Sequence, residues 1–221
     1  LRSLRYFRFH AWYGDQAAGF DPEALAAIAE NLEGLAELSR ERIGGELLKL
    51  LDAPDPAPSV AAMRQAGVLT QILPGANDRA LAPLIHLEAG RPAAPLRRLG
   101  ALGGDDLQQQ LRLSKAQALH LSAIRTAAVA PTSVQELAYR QGAQVALDAA
   151  LLRAALLEQP LSPVFESDIA SGAEAVFPIK ARDLLPDFKG PALGNMLKKL
   201  EADWIASGFS LSRETLLGSI R

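Results

Sequence analysis

The chain has no cysteine, which excludes a disulfide framework and thiolate zinc sites and fits a reducing cytoplasm. No apolar run approaches the roughly 20 residues of a membrane span, and no signal-peptide pattern opens the chain, so the expectation is a cytoplasmic protein without a membrane partner. Aromatic residues make up only 5% of the chain. β-branched runs are scarce as well, and both shortages argue against strands. Charge of one sign is also missing: the formal net charge is -2, so the whole molecule does not attract nucleic acid. Any RNA contact has to come from local basic patches. His10, His86 and His120 share no ligand spacing, and no phosphate-cradling or nucleophile-elbow motif occurs, so no metal site is expected.

What is present is Ala and Leu in blocks of helical periodicity, separated by Pro and Gly. The first block runs from about Leu1 to Gln16, with Leu4, Phe7 and Ala11 on one face. Leu1 is not methionine and falls inside a helical pattern, as expected of a piece of a longer protein. Asp21 caps a second helix, with Pro22 at its first position, and Ser39 caps a third that stops at Pro54, Pro56 and Pro58. Further helices are predicted over Ser59–Ala66, Arg79–Glu88, Pro92–Leu102, Ser114–Val129, from Ser133, and over Ala143–Glu158. Gln159 to Ser171, with Pro160 and Pro163, reads as a linker. Pro191–Ser207 and a helix capped by Ser212 complete the chain. The predicted fold class is all-α, an elongated array of helical modules: a neck over 1–75, a body over 76–160 and a tail over 161–221.

The opening L-R-S-L-R-Y-F-R-F-H-A places Arg2, Arg5 and Arg8 at every third position, a basic stripe along one helix. Tyr6, Phe7, Phe9, Trp12 and Tyr13 fill the remaining surface. A helix this apolar is expected to be covered on most sides, leaving its arginines to face a cleft or partner. There the guanidinium groups can donate paired hydrogen bonds to a base edge or a phosphate. Arg42 and Glu46 in L-S-R-E-R-I-G-G-E-L-L-K-L-L are four apart and share one helix face, where they suit a bracing role. Later come F-P-I-K-A-R-D-L-L and G-P-A-L-G-N-M-L-K-K-L-E-A-D-W, in which Gly190 and Pro191 begin a helix whose free amides can accept a phosphate. Lys189, Lys198 and Lys199 add positive charge nearby.

These blocks, with M-R-Q-A-G-V-L-T-Q-I-L-P between them, resemble in their order the C-terminal part of class II CCA-adding enzymes and bacterial poly(A) polymerases. The resemblance implies that Arg2 is the arginine of the family's base-reading motif, whose acidic pair would precede Leu1, and that Arg5 lies in its continuation. It implies that Arg42 and Glu46 support that helix, and that Arg8, Lys189, Gly190, Lys198 and Lys199 contact RNA. Ala181 stands where the family usually has glycine. The family's catalytic D-x-D, preceded by G-S, has no counterpart here, so the chain alone is expected to be inactive. Mg2+ belongs to the head, which this chain lacks, with ATP and CTP as substrates. The implied partners are tRNA or another RNA 3′ end and a nucleoside triphosphate; a homodimer is compatible. The alternative is a non-catalytic helical module that docks RNA or protein.

Overall fold

Helices begin where the sequence supplies caps. In the computed structural model, which describes residues 1–15 and 18–220, α1 spans Arg2–Tyr13. The predicted end of that block at Gln16 lies outside the described residues. Asp21 accepts a hydrogen bond from the Glu23 amide at 2.9 Å and opens α2 (Pro22–Glu30), and Ser39 opens α3 (Arg40–Leu51) in the same manner. Each side-chain oxygen satisfies an amide that the helix itself cannot. After the proline joint follow α4 (Ala57–Gln65) and α5 (Val68–Ile72). Gly67 between them sits at φ +76, a left-handed conformation that ends one helix and starts the next.

Next come α6 (Leu81–Glu88), α7 (Pro95–Leu102), α8 (Leu107–Leu111) and α9 (Lys115–Val129), the last opened by a reciprocal Ser114–Gln117 capping box. The remaining helices are α10 (Val134–Gln141), α11 (Ala143–Leu157), α12 (Phe165–Glu174), α13 (Pro191–Ala206) and α14 (Arg213–Gly218). Among the described residues there is no strand, only an isolated bridge from Ala76 to Gly103, so the all-α class holds. One expectation fails: α12 occupies most of the predicted linker. Pro160 and Pro163 precede the helix rather than interrupt it, a position where proline does no harm.

The chain forms two units, one of residues 1–131 and 148–162, the other of 132–147 and 163–221. In the first, Leu4, Phe7 and Ala11 of α1 are buried, and α1 packs on α3 and α4. Leu47, Leu50 and Leu51 of α3 and Val60 and Met63 of α4 are buried too. His10 supports this packing from the side, stacked on Phe20 at 3.7 Å between centroids. Its Nε2 lies 3.2 Å from the Gly19 carbonyl and its Nδ1 3.2 Å from Ser59 Oγ. A carbonyl can only accept, so in the neutral ring Nε2 carries the proton and Nδ1 accepts from Ser59.

The first unit also contains a buried ionic cluster. Arg97 and Arg98 of α7, Glu88 of α6 and Asp148 of α11 are each at most 3% exposed. Arg97 bridges Glu88 and Asp148 at 2.7 Å each, and Arg98 pairs with Glu88 at 2.6 Å. Arg98 also donates to the carbonyls of Leu51 (2.7 Å) and Ala53 (2.6 Å), which satisfies the C-terminal end of α3. His120 joins through Asp148 Oδ2 at 3.0 Å. The two guanidinium groups balance the two carboxylates, as burial demands.

In the second unit Ile179, Leu184, Leu200, Trp204 and Leu216 form the core. Phe177 and Phe209 pack on Trp204 at 5.5 and 4.7 Å between centroids. Gly172 of α12 faces α10 so closely that a Cβ there would lie 2.0 Å from the Gln135 carbonyl oxygen. Ala181 begins a short 3-10 turn, Ala181–Leu184, a right-handed conformation open to any residue, so it fits where the resembling family has glycine.

Candidate nucleotide and RNA interface

All first-unit candidates except Arg2 gather in a trough between α1 and α3. Glu46, with its side chain 10% exposed, reaches across from α3 to Arg5 at 3.6 Å and Arg8 at 2.8 Å. Arg8 Nε and Glu46 Oε2 are shut off from solvent and neither completes an aligned hydrogen bond, so charge rather than direction holds this contact. Arg42 does not pair with Glu46, although the two share a face of α3. It is exposed and, with Arg5, Glu46 and Lys49, lines a cleft of about 480 Å3. Arg2 is exposed and lies outside that lining.

A second cleft, of about 220 Å3, is lined by Arg8, Trp12, Tyr13, Lys49 and Asp52. Lys49 borders both, a residue the sequence reading did not single out. Its signal was its place three residues after Glu46, on the same helix face. The Trp12 indole donates to the Lys49 carbonyl at 2.8 Å and ties the ends of α1 and α3 together. The expectation that α1 is covered on most sides fails. Phe9 is 51% exposed, Trp12 40% and Tyr13 78%, because α3 and α4 cover only the Leu4–Phe7–Ala11 face.

The remaining candidates lie in the second unit. Gly190 adopts φ 56 and ψ -134, a region closed to side chains, and Pro191 takes the first helical position of α13. No acidic residue occupies the first turn of α13, so its amides keep their positive end. Lys189, Lys198 and Lys199 are exposed, and Lys199 lies 3.5 Å from Asp203 on the next turn. Among the described residues no three His, Asp or Glu side chains converge to hold a metal ion. Asp52 and Asp55 flank a proline-broken helix end and offer no such cluster.

Residues 19–79, which include all of α3, match the family described as "Probable RNA and SrmB-binding site of polymerase A". The Homo sapiens CCA tRNA nucleotidyltransferase 1, mitochondrial, is 57% identical over 51 residues, 23% of this chain and 12% of that protein. The Mus musculus protein of the same name is 55% identical over the same length, with the same shares of each chain. Among solved structures, a CCA-adding enzyme in complex with ATP superposes with a TM-score of 0.66 at 16% identity, covering 99% of this chain and 59% of that one. The Thermotoga maritima CCA-adding enzyme complexed with tRNA gives 0.63 at 17% identity, covering 100% of this chain and 61% of that one. These last likenesses speak for the fold, and the chain spans only part of each relative. Matched segment, relatives and fold point the same way: residues 19–79 are similar to an RNA-binding segment of polymerase A, and the chain shares its fold with the helical part of CCA-adding enzymes.

Proposed function

We propose that this chain is the RNA-binding and nucleotide-selecting region of a protein that adds nucleotides from CTP or ATP to an RNA 3′ end. The observation that carries the proposal is that the segment matching an RNA-binding family supplies one wall of the α1–α3 trough, where Arg42 and Lys49 are cations without an acidic partner among the described residues. Arg2 and Arg5 are the residues assigned to the nucleotide base. Arg2 has no ion pair among the described residues, and Arg5, with its side chain 54% exposed, keeps guanidinium donors free after its contact with Glu46. Glu46 holds the angle of Arg5 and Arg8, and Arg42 supports the same face. Arg8, Lys189, Gly190, Lys198 and Lys199 are assigned to the RNA backbone, with tRNA as the favoured RNA.

Nucleotidyl transfer needs clustered carboxylates that hold divalent ions, and those are assigned, with Mg2+, to a head outside this sequence. The chain by itself is therefore expected to give no turnover when radiolabelled CTP and ATP are supplied with a tRNA lacking its 3′ end. The neck, body and tail boundaries at 75 and 160 remain the proposed functional division, with the cytoplasm as the proposed compartment. Among the described residues no helix is long and apolar enough to cross a membrane. The reading is tested by filter binding of tRNA across a salt titration. Affinity that falls steeply with salt is the expected result; an affinity independent of salt would sink phosphate recognition.

A further inference from the structure

The sequence of α1 holds three arginines and no acidic residue. Arg2, Arg5, Phe9 and Trp12 follow one another at helical spacing of three and four residues and Tyr13 comes four after Phe9, so they lie along one face roughly 16 Å long. That face is the uncovered one, with Phe9, Trp12 and Tyr13 at 51%, 40% and 78% exposure. The three rings do not stack on each other: Phe9 and Tyr13 are 6.1 Å apart between centroids and tilted by 33°, Trp12 and Tyr13 6.4 Å and 39°. The Arg8 guanidinium lies over one face of Phe9, 4.7 Å from its centroid. The two clefts of the α1–α3 trough run beside this face and meet at Lys49.

We infer that this face of α1 is a stacking platform for a short run of unpaired nucleotides at an RNA 3′ end, with the backbone drawn toward Arg8 and Lys49. This rests on the RNA-binding reading above and adds the single-stranded substrate part and the residues that take it. Exposed rings interleaved with cations are the pattern that single-strand binders use: every base offers a π-face, and the cations follow the phosphates. A protein partner would call instead for an apolar centre depleted of charge. Here cations adjoin the rings: Arg8 lies over Phe9, and Arg8 and Lys49 line one cleft with Trp12 and Tyr13. A duplex has its bases already stacked and gains nothing from the rings.

The test measures fluorescence anisotropy of a labelled single-stranded hexanucleotide, a hairpin duplex and a tRNA with this chain. Tyr13→Ala and Phe9→Ala are expected to weaken the single strand about 5- to 150-fold each, the range that loss of one stacked base gives. Tyr13→Phe restores binding, and duplex affinity stays unchanged. The salt dependence of single-strand binding also stays unchanged in Tyr13→Ala, since a ring releases no counterions. Tyr13 is so exposed that its loss leaves the fold intact, whereas Trp12 is avoided because its indole is bonded to α3. If both alanine variants bind the single strand as tightly as the unaltered chain while tRNA still binds, the platform is wrong and the RNA-binding reading survives. If no RNA binds at all, both fall. If the chain self-associates by sedimentation and Tyr13→Ala abolishes this without touching RNA affinity, the face belongs to a protein partner and the inference is overturned.

Discussion

Arg98 serves two neighbours with one guanidinium, Glu88 and the carbonyls at the end of α3. Removing it strands a buried carboxylate and leaves those carbonyls unsatisfied. Arg98→Ala is therefore expected to cost about 3–5 kcal/mol, the usual penalty for breaking a buried pair. In a unit of this size that lowers the melting temperature by roughly 6–20 °C. A shift under about 2 °C in a thermal melt would refute the assignment. The adjacent glycines of α3 make a sharper contrast. A Cβ on Gly44 would lie 2.1 Å from the Leu111 carbonyl oxygen, whereas a Cβ on Gly45 meets nothing within 4 Å. Gly44→Ala is expected to destabilise by about 1–3 kcal/mol through overpacking against backbone. Gly45→Ala should stabilise by roughly 0.5–1 kcal/mol through helix propensity. Parallel denaturant titrations decide both, and equal effects would refute the close approach of α8.

At the level of elements, the second unit is held by polar links as well as by Trp204. Tyr139 of α10 donates to Glu201 of α13 at 2.7 Å. Burial first, then that bond, pushes its ionisation from 10.0 up to about 12. The folded state keeps a proton that the unfolded chain releases, so this contribution is whole below pH 10 and is lost as pH rises toward about 12. Thermal melts across that window should fall more steeply for the unaltered chain than for Tyr139→Phe; parallel curves would contradict it. Asp183 has the opposite sign. The Arg213 guanidinium foremost, then the Lys180 amide, hold its carboxyl below the usual range. Its link to α14 is present above that range and weakens as pH falls through it.

Most of these elements could be read from the sequence because their ends carry local signals. Asp21, Ser39, Ser114, Ser133 and Ser212 cap helices that depend little on distant contacts. α8 and α12 were missed for opposite reasons. α8 is one short turn with no side-chain cap, fixed by packing on Gly44. α12 follows two prolines that suggested a loop, and its Gly172, which looks like a helix breaker, is there to let α10 approach. Within the site, the positions of Arg5 and Glu46 on their helices were readable, but their pairing across α1 and α3 was not. Helical spacing specifies a face and not the neighbour that face will meet. The ionic cluster left one trace, the lone Asp148 in an Ala- and Leu-rich run, since a carboxylate there must find a cation.

For the whole molecule, a net charge of -2 means that RNA affinity depends on where the cations sit rather than on their total. Lys49→Ala and Lys198→Ala are each expected to reduce the log–log salt slope of tRNA binding by about 0.7–0.9, one phosphate apiece, with little effect on stability. Unaltered slopes in both would remove these lysines from the interface. The buried cluster of Glu88, Arg97, Arg98 and Asp148 has a further consequence, one that concerns descent. Each member depends on the others for its neutrality, so a single replacement passes through an unfavourable intermediate, whereas replacing the set with apolar residues does not. Lineages should therefore keep these four positions or exchange them together. A relative with an apolar residue at the position of Glu88 and arginine at both 97 and 98 should be rare.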